Sequence, residues 1–114
     1  MIKLSPSLLA TDFSNLTIPL SQCNSGEVSM IHIDVMDGNF VPNITMGPVV
    51  IKGIRKATNL LLDVHLMINK PENFISDFIK VGSNLITFHV EATKNPFNLI
   101  NQIKNEGLKC GITL

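Results

Sequence analysis

The chain has 114 residues, and its nine basic side chains balance nine acidic ones for a formal net charge of zero. With no polybasic run and no acidic tail, that balance excludes the usual footprints of nucleic-acid binding and of solvating segments. Hydrophobic residues make up 45 %, enough for the core of one small domain, yet no apolar run approaches the roughly 18 residues of a membrane span.

The opening stretch, "MIKLSPSLLA", carries one lysine and a short apolar run, so no secretory leader and no membrane partner are expected, and a cytoplasmic location is. The first expected strand, 2–9, sets Ser5 and Ser7 against Leu4, Pro6 and Leu8. Helical spacing follows over 12–24. Cys23, near its end, and Cys110 match no metal or redox spacing and read as two reduced thiols.

The second strand, 30–36, contains "IHIDVMDG", an imidazole and a carboxylate two positions apart in an otherwise apolar run. Alternation puts His32, Asp34 and Met36 on one face and Ile31, Ile33 and Val35 on the other. Asp37 and Gly38 read as a turn, and a helix is expected over 47–57. The third strand, 60–68, repeats the pattern: Asp63, His65 and Met67 oppose Leu62, Val64 and Leu66. A helix over 71–81 starts at Pro71 and Glu72, carries the stripe Phe74, Ile75, Phe78 and Ile79, and stops at Gly82. In the fourth strand, 85–91, Thr87, His89 and Glu91 oppose Ile86, Phe88 and Val90. Asn95 and Pro96 cap a helix over 96–106 that ends at Gly107, and "GLKCGITL" over 108–114 reads as the start of a fifth strand.

Strands and helices alternating at this interval indicate repeated βα units and a parallel sheet. Four units and a strand make half of an eightfold barrel, which needs about 250 residues; an open five-stranded sheet also fits the length. In a barrel the apolar faces pack under the helices and the polar faces share one interior, with the site at the carboxyl ends of the strands. Adjacent strands lie about 4.8 Å apart, so one ion can reach both His32 and Asp34 on one strand and His65 on the next. Nitrogen and oxygen donors of this kind suit Zn²⁺, Fe²⁺, Mn²⁺ or Co²⁺. The same residues also fit a hydrogen-bonded interior with a structural carboxylate. Ser7 suits a ligand hydroxyl or a backbone bond, Met36 and Met67 suit core filling, and His89 with Glu91 suits a support for the site or a structural pair.

The stretches "LSPSLLATDFSNL", "IHIDVMDGNFVPNITMGP", "LDVHLMINKPENFI" and "ITFHVEA" resemble the ribulose-phosphate 3-epimerase family, in order and with family-like spacing from residue 2 to residue 114. The resemblance implies a (β/α)₈ TIM barrel, of which residues 1–114 would be the amino-terminal half of a single domain: the first four βα units and the start of strand 5. It implies an isomerase that interconverts D-ribulose 5-phosphate and D-xylulose 5-phosphate. By the same resemblance His32, Asp34 and His65 bind a divalent ion, Asp34 is one of two acid–base aspartates, Ser7 and His65 contact the sugar phosphate, and Met36 and Met67 line its pocket. The family's second aspartate, which is also the fourth metal ligand, and its glycine-rich phosphate loops have no match among these residues. The alternative expectation is a catalytically incomplete half-barrel that acts only as a homo-oligomer or with a partner half.

Overall fold

A computed structural model describes residues 2–114. Four strands, β1 (Met30–Met36), β2 (Leu61–Met67), β3 (Leu85–His89) and β4 (Lys109–Thr113), form one parallel sheet in the order β1-β2-β3-β4. The connections contain α2 (Pro48–Ala57), α3 (Ile75–Lys80) and α4 (Pro96–Asn105), while α1 (Thr17–Ser25) precedes β1. Parallel neighbours need such crossovers, because a tight turn can only reverse the chain.

The local chemistry explains the boundaries. Pro48 and Pro96 occupy the first turns of α2 and α4, where the missing N–H costs nothing. The Asn95 side chain accepts from the Asn98 N–H at 3.3 Å, satisfying one of the open donors of α4. Gly82 and Gly107 end α3 and α4 at φ 103° and 81°, a region that side chains with a Cβ avoid.

Burial alternates along the strands with period two. Ile31, Ile33 and Val35 of β1, Leu62, Val64 and Leu66 of β2, and Ile86 and Phe88 of β3 are buried. They join one core with Ile51 and Ile54 of α2, Ile75 and Phe78 of α3, and Leu99 and Ile103 of α4. Each such side chain contributes roughly 1.5–3 kcal/mol by leaving water. The residues between them, among them His32, Asp34, Asp63, His65 and His89, are half-buried on the opposite face. No helix among the described residues is long and apolar enough to cross a membrane.

Four expectations need correction. The strand expected over 2–9 is reduced to isolated parallel bridges, Leu4 with Val28 and Ser7 with His32, held by backbone bonds from Ser29 N–H to Leu4 O (3.1 Å) and His32 N–H to Pro6 O (2.9 Å). Pro6 has no N–H to give back, and Ser7 instead caps a 3₁₀ turn, Leu8–Ala10, with its hydroxyl. The helix expected from residue 12 starts at Thr17, because Asp12 and Asn15 turn the chain by accepting from the Ser14 and Thr17 N–H groups. The helix expected over 71–81 is a 3₁₀ turn, Pro71–Asn73, then α3, with Phe74 at φ −126° between them. The strand expected over 85–91 ends at His89, and Val90–Ala92 forms a 3₁₀ turn.

Candidate metal centre and active site

In the β1–β2 register Asp34 stands opposite His65, and His32 opposite Asp63. A carboxylate therefore faces an imidazole at two successive half-buried rungs. His32 Nε2 lies 3.0 Å from Asp34 Oδ1, and His65 Nδ1 lies 3.1 Å from the same oxygen. Two histidines from neighbouring strands thus converge on one carboxylate. Among the described residues, His32, Asp34 and His65 form a group whose ligand atoms all lie within 4.8 Å of one another.

The other ring nitrogens are also engaged. His32 Nδ1 donates to Asp63 Oδ2 at 2.8 Å. His65 Nε2 is 2.9 Å from His89 Nε2, and His89 Nδ1 is 3.3 Å from Glu91 Oε1. The rings of His65 and His89 stack with centroids 5.1 Å apart, and Phe40 packs against His89 at 4.9 Å. Six polar side chains therefore form one row across three strands: Asp63, His32, Asp34, His65, His89 and Glu91. The Ser7 hydroxyl donates to Asp34 Oδ2 at 3.5 Å, so the bridge at the start of the chain delivers a hydroxyl to the centre of the row.

The electrostatics separate the two histidines beside Asp34. The hydrogen bond to Asp63 raises the His32 pKa above the usual histidine value against the opposing effect of burial, with the Asp34 charge assisting. Burial lowers the His65 pKa, against the Asp34 hydrogen bond and with the neighbouring His89 and His32 assisting the fall. His32, between two carboxylates, holds its proton more tightly than an ordinary histidine, whereas the shielded His65 holds its proton less tightly.

The donor set suits a divalent ion: two imidazole nitrogens and a carboxylate oxygen on rigid strands, each histidine fixed through its other nitrogen by a further side chain. Met36 and Met67 are paired in register at the carboxyl ends of β1 and β2, both half-buried, and flank this row with apolar surface. Thr45 braces the strand end, donating to Asp34 O at 2.7 Å and accepting from Met36 N–H at 3.0 Å.

Two residues in this arrangement had no role assigned from sequence. Asp63 was placed on the polar face of its strand, but its function as the partner of His32 depends on the register between strands. Phe40 lies in the loop after β1, where no periodicity marks it. Glu91 was expected on the polar face of a strand; it lies in the turn beyond β3 with its side chain half exposed, and still reaches His89.

The model of the ribulose-phosphate 3 epimerase family matches residues 3–114. The ribulose-phosphate 3-epimerase of Bacillus subtilis is 45 % identical over 114 residues, covering all of this chain and 52 % of that protein. That of Treponema pallidum is 44 % identical over 97 % of this chain and 51 % of its own length. The chloroplastic ribulose-5-phosphate-3-epimerase of Arabidopsis thaliana is 44 % identical over 99 % of this chain and 41 % of its own length. The chain spans about half the length of the curated relatives it matches.

Proposed function

The chain belongs to the ribulose-phosphate 3-epimerase family, and from that premise we propose that residues 1–114 supply the amino-terminal half of a single (β/α)₈ barrel that interconverts D-ribulose 5-phosphate and D-xylulose 5-phosphate. The sequential strand order supports the barrel, since an open doubly wound sheet reverses its order at a switch point. One observation carries the catalytic reading: His32 Nε2 and His65 Nδ1, from two strands, converge on Asp34 Oδ1.

The reaction inverts C3, whose proton is acidified by the neighbouring C2 carbonyl. Inversion requires a proton removed from one face and returned on the other, hence two acid–base groups. Asp34 is one of them in this reading. Its carboxylate is held by side chains on either side and has the Ser7 hydroxyl at its second oxygen, which orients it for proton transfer and offers a donor to a substrate hydroxyl. Bound by His32, Asp34 and His65, a divalent ion (Zn²⁺, Fe²⁺, Mn²⁺ or Co²⁺) would supply Lewis-acid stabilisation of the enediolate charge. Met36 and Met67 keep water from that charge, and His65 faces the same space.

The second acid–base group and the phosphate-binding loops are assigned to later strands of the barrel. The 114 residues alone therefore complete the site only with a partner half; the alternative, a homo-oligomer, would need a residue of a second copy to take the second acid–base role, and the exposed Ile112 of β4, on the edge of the sheet, supports closure by either route. The test is formation of D-xylulose 5-phosphate by the whole barrel, after chelation and on adding back Zn²⁺ or Fe²⁺. Metal-restored turnover is expected, and turnover indifferent to chelation would remove the metal from the reading. The isolated 114 residues are expected to turn over very slowly or not at all; rapid turnover would show that the site needs no second half.

A further inference from the structure

The row of side chains continues past the proposed ligands, and its outer end has a direction. Glu91, as a carboxylate, only accepts hydrogen bonds. His89 Nδ1, 3.3 Å from Glu91 Oε1, must therefore be the donor of that pair. A neutral His89 then presents a bare Nε2. That atom sits 2.9 Å from His65 Nε2, and in this neutral pair the proton between them is on His65. A neutral His65 with its proton on Nε2 presents a bare Nδ1, and this lone pair lies 3.1 Å from Asp34 Oδ1. In that tautomer two electron-rich atoms face each other, and a bound divalent cation would supply the positive centre between them.

We infer that His89 and Glu91 form a positioning pair that fixes the His65 ring so that its Nδ1 lone pair is turned towards Asp34 and a divalent cation. The inference rests on the metal reading above and deepens it: it assigns the residues that orient one ligand. The direction is set from the solvent end, where Glu91 is half exposed, and passes through two rings stacked at 5.1 Å. Phe40, 4.9 Å from His89 on the loop after β1, holds the outer ring in place. On the other side of the centre Asp63 does the same for His32 Nδ1, leaving His32 Nε2 turned to Asp34. Each histidine ligand thus has its own carboxylate, Asp63 directly and Glu91 through His89, in accord with the general role of such partners in fixing ring orientation and raising ligand basicity.

The experiment measures Zn²⁺ uptake by calorimetry and reads the ring nitrogens of the Zn²⁺-loaded chain by NMR. The expected spectrum has His89 protonated on Nδ1 with Nε2 bare; His89 protonated on Nε2 would overturn the inference without any variant. His89→Phe keeps a flat ring against His65 but removes the acceptor, and is expected to weaken Zn²⁺ uptake about 10–100-fold. His89→Gln restores an acceptor and should recover most of the loss. Glu91→Ala, at a half-exposed position that folding tolerates, should weaken uptake by a smaller factor. Unchanged affinity in both His89→Phe and Glu91→Ala, with the parent binding Zn²⁺, would remove the positioning role alone. A parent that takes up no Zn²⁺ would remove the metal reading and the inference with it.

Discussion

Asp34 and His65 are register partners on neighbouring parallel strands, and their side chains meet at 3.1 Å on the half-buried face of the sheet. Because His32 Nε2 reaches the same Asp34 oxygen at 3.0 Å, removing the carboxylate affects both histidines at once. Asp34→Asn keeps the shape and removes the charge. If Asp34 acts as proposed, the substitution in the whole barrel is expected to cut turnover by at least about 10²-fold, the lower end of what a positioned acid–base group supplies, and to weaken Zn²⁺ uptake in parallel. Near-normal turnover would take Asp34 out of the mechanism.

The two histidines should titrate apart. With no metal bound, His32 is held above the ordinary histidine value by Asp63, and His65 below it by burial. For His32 the folded state binds its proton more tightly than the unfolded chain. Its stabilising contribution is therefore full below the unfolded value of about 6.5 and is lost as pH rises through the raised folded value. His65 has the opposite sign: its neutral ring favours the fold above the unfolded value, and that contribution falls as pH drops towards the lowered one. NMR titration of the metal-free chain should give the higher value to His32, and Asp63→Asn should bring it down. On the metal reading Zn²⁺ would have to displace the His32 proton, so uptake should strengthen as pH rises through that value. Equal titration of the two rings would contradict the asymmetry.

Asp37 ties the loop after β1 to the loop after β2. Its Oδ1 accepts from the Asn39 and Phe40 N–H groups at 2.9 and 2.8 Å, and its Oδ2 from the Asn69 N–H at 2.8 Å. Partial desolvation pushes its pKa up, but the backbone N–H donors prevail and hold it below the usual carboxylate value. Asp37→Ala is expected to cost about 1–2 kcal/mol in denaturant unfolding, comparable to losing a helix cap. In the parent this contribution is present above the unfolded carboxyl value and is lost as pH falls through the lowered folded one. The substitution should also loosen Phe40 against His89, visible as faster exchange of the Phe40 and Asn69 amides. Unchanged exchange at both would show that the loops are held by something else.

What could be read from the sequence follows from what one chain encodes locally. Alternation within a strand is local, so the faces of β1, β2 and β3 were legible, and with them the grouping of His32, Asp34 and His65. Capping is local too, which is why Asn95, Pro96 and Gly107 mark α4. Register between strands is not local: Asp63 needed the pairing of His32 with Asp63 before its role was visible. The start of the chain failed for a different reason. Its alternation of Ser5 and Ser7 with Leu4 and Leu8 is strand-like, but Pro6 removes a ladder donor and Ser7 closes a turn instead.

Arg55, near the end of α2, holds together the end of the sheet away from the site. Its Nη1 donates to Asn84 Oδ1 at 3.0 Å and Gly82 O at 3.4 Å, and its Nη2 to Thr58 O at 2.6 Å and Leu60 O at 2.8 Å. Asn84 Oδ1 also accepts from the Leu62 N–H at 2.9 Å, so one guanidinium joins α2, the start of β2 and the turn before β3. The stem of Arg55 packs where a Cβ on Gly82 would stand, 2.6 Å from Arg55 Cδ. A lysine has the charge but not the planar fork, and would leave at least two carbonyls short of donors. Arg55→Lys is therefore expected to destabilise the chain by about 2 kcal/mol, and Gly82→Ala should also destabilise it, through the clash and the positive φ. Neither substitution touches the proposed metal ligands, so on that reading Zn²⁺ affinity measured well below the melting temperature should stay at the parent value. A loss of affinity in the folded Arg55→Lys protein would mean that the two ends of the sheet are coupled, which the rigid register of β1 and β2 argues against.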